Sequence, residues 1–314
     1  MLDPNARFLH GSTMSHVTRM TVTGMLGLTF MFVVDLANLF WISRLGDERM
    51  VAALGFAWNV QFFSISVGIG LMIAATALVS KAIGQGRREE ARRFATGCMA
   101  LGVCLQALVA ILIVMFRSKI VAFTGATGET ALLAERFLLI SVPTLPLMAI
   151  GMIGSAILRS EGDAYRAMFV TMSAGLVAVV ADPILIIWFE LGLDGAAINT
   201  GLSRLVSTSI AIWSVIRVHN LLGGLTFSII KVAFIPFLII ALPAILTQLS
   251  GPFASFIITR AIAEFGDSAV AGLSVVNRLS VVAFGGIFSL SAAIGGIFGQ
   301  NFGAQMFDRV RSTY

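Results

Sequence analysis

Residues 21–42 read TVTGMLGLTFMFVVDLANLFWI, an apolar stretch in which Asp35 is the one ionisable side chain. A helix of about 20 residues rises about 30 Å, the thickness of the hydrocarbon core of a bilayer. The stretch therefore predicts a membrane-spanning helix. Because an acid within a span costs free energy unless it is neutralised, paired or hydrated, Asp35 is a functional candidate.

The rest of the chain has the same character. Of its 314 residues, 58% are hydrophobic and 12% are charged, and the mean hydropathy is +0.95. A soluble domain is about 45–50% apolar. We therefore predict an all-α integral membrane protein without a soluble domain. Eight spans are predicted, near residues 21–42, 50–79, 94–116, 137–158, 167–189, 196–216, 232–258 and 269–298.

The Lys and Arg residues outside these spans are concentrated on one side. With the N-terminus inside, thirteen fall in inner segments: Arg7, Arg19, Lys81, Arg87, Arg88, Arg92, Arg93, Arg159, Arg166, Arg217, Lys231, Arg309 and Arg311. Six fall in outer segments: Arg44, Arg49, Arg117, Lys119, Arg136 and Arg260. Because cytoplasmic loops retain positive charge, we expect a multi-pass protein of the plasma (inner) membrane with a cytoplasmic N-terminus. This topology accounts for the net charge of +5, so we expect no nucleic-acid partner.

An internal repeat relates the two ends of the chain. A shift of 219 residues places Gly84 on Gly303 and Arg92 on Arg311. The same order of two long spans and a Gly-then-basic inner loop recurs, as in transporter halves. We therefore predict a complete six-helix N-terminal lobe in residues 1–220 and the first two helices of a second lobe in residues 221–314.

A second acid, Asp182, lies in the predicted fifth span within VAVVADPILIIWF. Asp35 and Asp182 each precede the outer end of an outward-running span by seven residues, so we expect them at one depth. Asn199 and Thr200 reach a similar depth on the sixth span. Two carboxylates in a low-dielectric cavity repel each other when both are ionised, which favours uptake and release of a proton.

Two alternative interpretations remain open for these acids. Asp182 could simply cap or hinge the helix before Pro183. Asp35 could bond to Asn38, one helical turn away.

Further polar side chains within the predicted spans are candidates for lining a cavity. They are Asn38, Gln61, Asn199, Arg204 and Arg278. Arg204 and Arg278 either face a water-filled cavity or extend toward the membrane boundary.

Several chemistries are not expected. The chain has no G-x-x-x-x-G-K-[ST] motif, so we expect no ATP-driven step. Its histidines, His10, His16 and His219, fall in inner segments, which argues against a Ser-His protease or a buried His metal site. The protein is expected not to be an enzyme and to need no cofactor.

The sequence resembles the multidrug and toxic compound extrusion (MATE) family. The matching stretches are VVDLANLFWISRLGDERMVAALG (33–55), SKAIGQGRREEARR (80–93), AILRSEGDAYRAM (156–168), VVADPILII (179–187), LGLDGAAINTGLSR (191–204) and FGQNFGAQMFDRVR (298–311). The resemblance implies twelve helices in two lobes around a central cavity. The chain, which ends at Tyr314, would then be C-terminally truncated relative to the family plan.

The resemblance also implies site residues. Asp35 and Asp182 match acidic positions of the family's N-terminal lobe, and Thr200 matches a polar partner on helix six. The family's Asn one turn before the second acid is Ala178 here, which weakens a Na⁺ site at Asp35, Asp182 and Thr200 and favours protons.

The expected function is a secondary active antiporter. It would export amphiphilic or cationic small molecules, such as drugs and toxic compounds, across the bilayer in exchange for H⁺ or Na⁺ by alternating access. Alternatives are a lipid-linked-sugar flippase of related architecture and a non-transporting truncated remnant.

Overall fold

Helices are the only regular secondary structure in the residues that the computed structural model describes, which are 6–263, 276, 286–287 and 289–313. They are α1 Thr13–Ser43, α2 Glu48–Gly84, α3 Arg88–Phe123, α4 Gly128–Ser141, α5 Leu145–Ser160, α6 Ala164–Pro183, α7 Gly192–Trp213, α8 Phe227–Ala263, α9 289–303 and α10 Phe307–Thr313. Short 3₁₀ turns form at Arg7–Leu9 and Val142–Thr144, and π-helical turns at Ile184–Trp188 and Ser214–Val218. The predicted all-α fold is confirmed.

Six segments of the described helices are long and apolar enough to cross a membrane. They are Thr13–Ile42, Arg49–Gly84, Arg88–Phe123, Gly128–Ser160, Ala164–Trp188 and Phe227–Ile258. They coincide with the first five and the seventh predicted spans. The predicted sixth span corresponds to α7, which is more polar. The predicted eighth span, 269–298, falls largely outside the described residues, although α9 includes its last ten positions.

The basic segment between α2 and α3 is shorter than the sequence indicates. The predicted spans 50–79 and 94–116 leave residues 80–93 between them, yet α2 extends to Gly84 and α3 begins at Arg88. Glu89 and Glu90 occupy the first turn of α3, where negative charge complements the positive end of the helix dipole. The chain reverses at Gly86, whose φ of 72° favours glycine. The charged residues that follow therefore belong to the helix.

The predicted fourth span is broken into α4 and α5. Pro143 lies in the Val142–Thr144 turn and has no N–H to continue a helical ladder. The N–H of Leu145 bonds to the carbonyl of Val142 in a 3₁₀ pattern, so the carbonyl of Ser141 needs another donor. Its partners form part of the candidate site.

Helices α1–α7, which we call the N-terminal bundle, pack through small residues. Gly175 of α6 lies against Phe30 of α1, and Gly154 of α5 lies against Ala211 of α7. Because there is little hydrophobic driving force between helices in lipid, such close contacts stabilise membrane bundles. The first contact holds α1 against α6, and the second holds α5 against α7.

Helices α8 and α9 pack on α2. The rings of Phe63 and Phe253 meet edge to face with centroids 5.4 Å apart, and Gly70 contacts Ile245. On α9, Gly299 and Gly303 lie directly against Ser80 and Lys81 at the end of α2. Helices α8 and α9 thus both contact the N-terminal bundle, and the contacts of α9 lie at the end that we predict to be cytoplasmic.

Candidate functional site

Asp182 lies in the last turn of α6 and is fully buried. Asn38 of α1 donates from Nδ2 to its Oδ2 over 2.9 Å. Asn199 of α7 donates from Nδ2 to its Oδ1 over 2.5 Å. A single carboxylate therefore joins three helices, and in the described part of the chain both of its hydrogen-bond partners are neutral amides.

The orientation of Asn199 is determined by its other bonds. Its Nδ2 also donates to the carbonyl of Ala178 over 3.2 Å. Its Oδ1 accepts from the hydroxyl of Ser203 over 3.5 Å. Rotating the amide would break these bonds, so the N–H side of Asn199 faces Asp182. Donors of this kind stabilise an ionised carboxylate.

The other two predicted ion-coupling residues, Asp35 and Thr200, lie within one helical turn of the partners of Asp182 along their own helices. Asp35 is partly buried on α1, three residues before Asn38, at a spacing that places Cβ atoms about 5–6 Å apart. Thr200 follows Asn199 on α7, but its hydroxyl donates to the carbonyl of Ala196, 3.0 Å away on the same helix. Thus Asn38 and Asn199, which the sequence analysis names among the candidates for lining a cavity, contact Asp182 directly.

Arg204 lies at the centre of a second polar cluster. Its guanidinium donates to the Ser141 carbonyl over 2.9 Å, to the Thr144 hydroxyl over 2.8 Å and to the Gln61 side-chain oxygen over 2.7 Å. Gln61 in turn donates to the Ser141 hydroxyl over 3.2 Å. The Ser141 carbonyl left free by the break between α4 and α5 thus accepts from Arg204 and also from the Thr144 hydroxyl, 2.6 Å away, and the positive charge lies at the carboxyl-terminal end of α4.

Arg204 points into the N-terminal bundle. On the same face of α7, Thr208 donates to the carbonyl of Leu147 on α5. The opposite face carries exposed apolar side chains, Leu202 and Trp213. The guanidinium therefore bonds to protein groups inside the bundle, and its facing a water-filled cavity stays a prediction. Arg278 lies outside the described residues.

A third, ionic cluster was not predicted as a site. It forms where the turn between α5 and α6 meets the segment after α7. His219 Nε2 bonds to Asp163 Oδ2 over 2.9 Å, and Arg166 pairs with the same oxygen over 2.5 Å. Arg88 bonds to Glu161 over 3.2 Å and donates to the His219 carbonyl over 2.8 Å. The charged LRSEGD segment, residues 158–163, could have indicated this cluster, but its partners Arg88 and His219 are distant in sequence.

The charge of Asp163 is stabilised in this cluster. Burial acts to raise the pKa of its carboxyl group, but hydrogen bonds from His219 and Arg166 outweigh burial and hold the pKa well below its usual range. Asp163 also caps α6 by accepting from the Arg166 backbone N–H. This cluster therefore anchors helix ends.

The fold and these clusters define a class: a multi-span helical membrane protein with charged groups inside its bundle, as transporters have. The MatE family model matches residues 24–184 and 243–314, and the chain belongs to this MATE family of transporters. The resemblance inferred from the motifs is thereby confirmed.

Individual relatives agree with this assignment. The chain is 28% identical over 300 residues to the FAD transporter of Shewanella oneidensis, covering 94% of this chain and 66% of that protein. It is 24% identical over 263 residues to the multidrug export protein MepA of Staphylococcus aureus, covering 81% of this chain and 57% of that protein. The chain thus spans 57–66% of the length of these relatives.

Solved structures share the fold. The crystal structure of MATE in complex with MaL6 has a TM-score of 0.88 and 25% identity, covering 99% of this chain and 70% of that one. A mutant of the Vibrio cholerae MATE transporter VcmN has a TM-score of 0.87 and 26% identity, covering 95% of this chain and 68% of that one.

Proposed function

We propose that this protein is a proton-coupled antiporter that exports amphiphilic small molecules from the cytoplasm, with Asp182 and Asp35 carrying the proton. The observation that carries the proposal is the burial of Asp182 among neutral partners. A buried charge without a counter-ion is costly, so the carboxylate is poised to exchange its charge for a proton.

Protonation of Asp182 would change the packing of three helices. The ionised group accepts from Asn38 and Asn199 at once. A protonated carboxyl has one donor and less acceptor capacity, so one amide must turn or move away. Because the orientation of Asn199 is determined by Ala178 and Ser203, we expect the bond from Asn38 on α1 to be the one that changes. Proton uptake would then loosen α1 from α6.

Two features favour protons over Na⁺. A hard cation needs several oxygen ligands, yet N–H donors face both oxygens of Asp182. The hydroxyl of Thr200 donates to its own helix. Supplying more oxygens would require Asn199 to rotate and lose its other bonds. A proton needs one carboxylate oxygen only.

The transport direction follows the predicted topology. A cytoplasmic N-terminus in the plasma membrane would orient α1 and α6 outward, with both acids nearer the external side. Protons would then enter from outside as substrate leaves. The MepA relative, by its name, exports multiple drugs, which supports an amphiphilic substrate class.

The test is export of a fluorescent amphiphilic dye from proteoliposomes in response to a pH gradient. We expect Asp182→Asn to abolish proton-driven export. Asp194→Asn is the matched control, because this acid lies in the first turn of the neighbouring helix α7 and pairs with the exposed Arg136. Its export should equal that of the wild type. Full export by Asp182→Asn would refute the proposal.

A further inference from the structure

A small polar pocket lies where α3 meets the beginning of α8, at the end that we predict to be cytoplasmic. The two helices are in close contact there, because Gly97 of α3 lies directly against Ile229 and Ala233 of α8. The pocket has a volume of about 130 Å³ and is lined by Glu89, Arg92 and Arg93 of α3, by Gly223 and Gly224 of the segment before α8, and by Ile229. This volume equals roughly four water molecules at about 30 Å³ each, which is enough for a phosphate group and too little for a whole amphiphile.

The two arginines of the pocket have different roles. Arg92 Nε donates to the carbonyl of Leu222 over 3.0 Å, and Thr96, one turn further along α3, accepts from the N–H of Gly223 over 2.9 Å. These bonds fix the segment before α8 to α3. Arg93, in contrast, makes no hydrogen bond within the described residues, so the donors of its guanidinium are available to a ligand.

Glu89 leaves the pocket with a positive charge. Its carboxylate lies 4.0 Å from Nη1 of Arg92 and 3.9 Å from Nε of Arg93, and its side chain is 68% exposed. Exposed ion pairs of this kind contribute little to stability, so an anion can replace the carboxylate as the partner of the arginines. Two guanidinium groups against one carboxylate favour an anionic ligand.

The position of the pocket along α3 points to a lipid. The helix has 36 residues and rises about 54 Å, which exceeds the roughly 40–45 Å of a bilayer with its headgroups. The second turn of α3, with Arg92 and Arg93, therefore lies at the level of the headgroups. Beside the pocket, the apolar side chains of Leu225 and Phe227 are 63% and 82% exposed, as groups in contact with lipid chains are.

We propose that this pocket binds the phosphate of an anionic phospholipid of the cytoplasmic leaflet. Arg92 and Arg93 donate to the phosphate oxygens, since guanidinium groups match phosphate in charge and geometry. Leu225 and Phe227 contact the acyl chains. Basic groups at the cytoplasmic boundary of a membrane attract anionic lipids in this way. The bound lipid would brace the segment that joins the N-terminal bundle to α8, and its binding does not depend on the proposed transport function.

The experiment is native mass spectrometry of the purified protein in a neutral detergent, titrated with phosphatidylglycerol or with phosphatidylcholine of the same acyl chains. We expect the wild type to retain one phosphatidylglycerol under conditions in which it retains no phosphatidylcholine. Arg93→Gln should weaken this binding about fivefold, the contribution of one basic residue near an anionic headgroup. Arg93→Lys should lose less, because the charge remains. Glu89→Gln should tighten binding, because it removes the competing carboxylate.

Arg87→Gln is the matched control. It makes the same change of charge in the same segment, but Arg87 pairs with Glu90 and does not line the pocket. Its affinity for phosphatidylglycerol should equal that of the wild type. Arg93→Gln is expected to fold, since Arg93 is 58% exposed and makes no hydrogen bond within the described residues.

Four results would overturn the inference: equal retention of the two lipids, equal weakening by Arg93→Gln and Arg87→Gln, weaker binding in Glu89→Gln, or displacement of phosphatidylglycerol by millimolar inorganic phosphate. The last result would assign the pocket to a free anion. Because Arg93→Gln and Glu89→Gln are expected to change the affinity in opposite directions, a general loss of stability cannot produce both results.

Discussion

The two ends of α6 each carry a buried aspartate, and their surroundings differ. Asp163 caps the first turn, where the helix dipole favours negative charge, and it contacts His219 and Arg166. Asp182 lies in the last turn, where the dipole opposes negative charge, and it contacts two neutral amides. The carboxylate of Asp163 is compensated by the cationic Arg166 and by the dipole, whereas that of Asp182 has neither a cationic partner nor a favourable dipole.

This difference suggests a structural role for the aspartate at one end of α6 and a role in transport for the aspartate at the other end. A compensated charge has no reason to change its protonation near neutral pH, so Asp163 serves to fix the turn between α5 and α6. An uncompensated charge in a membrane interior gains from protonation, so Asp182 is suited to a transport cycle. Burial alone would not distinguish them, because both are less than 5% exposed.

The largest expected effect comes from making the same substitution at both ends. Asp163→Asn should lower the free energy of unfolding by about 2 kcal/mol, less than a fully buried pair would lose because Arg166 is 43% exposed. Asp182→Asn should leave stability within about 0.5 kcal/mol of the wild type, since it removes an uncompensated charge. Thermal unfolding in detergent measures both. Equal losses would show that the two carboxylates have the same role.

The stabilisation from Asp163 should depend on pH in a defined direction. Because its pKa is lowered by folding, its contribution is fully present above the unfolded value of about 3.9 and is lost as the pH falls through the folded value. The difference in unfolding temperature between the wild type and Asp163→Asn should therefore stay constant from pH 7 to about pH 5 and shrink below about pH 4. A difference that disappears near pH 6 would contradict the assignment to this carboxyl group.

A smaller effect is expected for the bond between α1 and α6. Asn38→Ala removes one donor from Asp182 and should cost about 1.5 kcal/mol in the free energy of unfolding, as hydrogen bonds to charged groups do. The cost should vanish in the Asp182→Asn background, where the charge is absent. A double-mutant cycle measures this coupling, and additivity of the two changes would rule out the bond.

The smallest effect concerns the orientation of Asn199. Ser203→Ala removes a long hydrogen bond of 3.5 Å and should cost no more than about 0.5 kcal/mol. By releasing Asn199 to rotate, it should nevertheless make carbodiimide labelling of Asp182 partly sensitive to Na⁺. Unchanged labelling would indicate that the bond to the Ala178 carbonyl alone orients the amide.

Much of the fold could be predicted from hydropathy, because a bilayer requires long apolar helices whatever their partners. The break at Pro143 was visible only as a proline within a span, since whether a proline bends or ends a helix depends on its neighbours. The extent of α3 was underestimated because its first turns are charged and lie at its end. Hydropathy therefore predicts the helix segments within the membrane better than it predicts where the helices begin and end.

The candidate site could be predicted in its acids but not in its contacts. The sequence by itself determined the membrane class, the family motifs and the placing of Asp35, Asp182 and Arg204 within helices, because a charge in an apolar run is visible in one dimension. Only the tertiary structure decided that Asn38 and Asn199 contact Asp182 and that the hydroxyl of Thr200 donates to its own helix. Helix rotation decides such partners, and rotation is hidden in sequence because lipid and bundle interior are equally apolar.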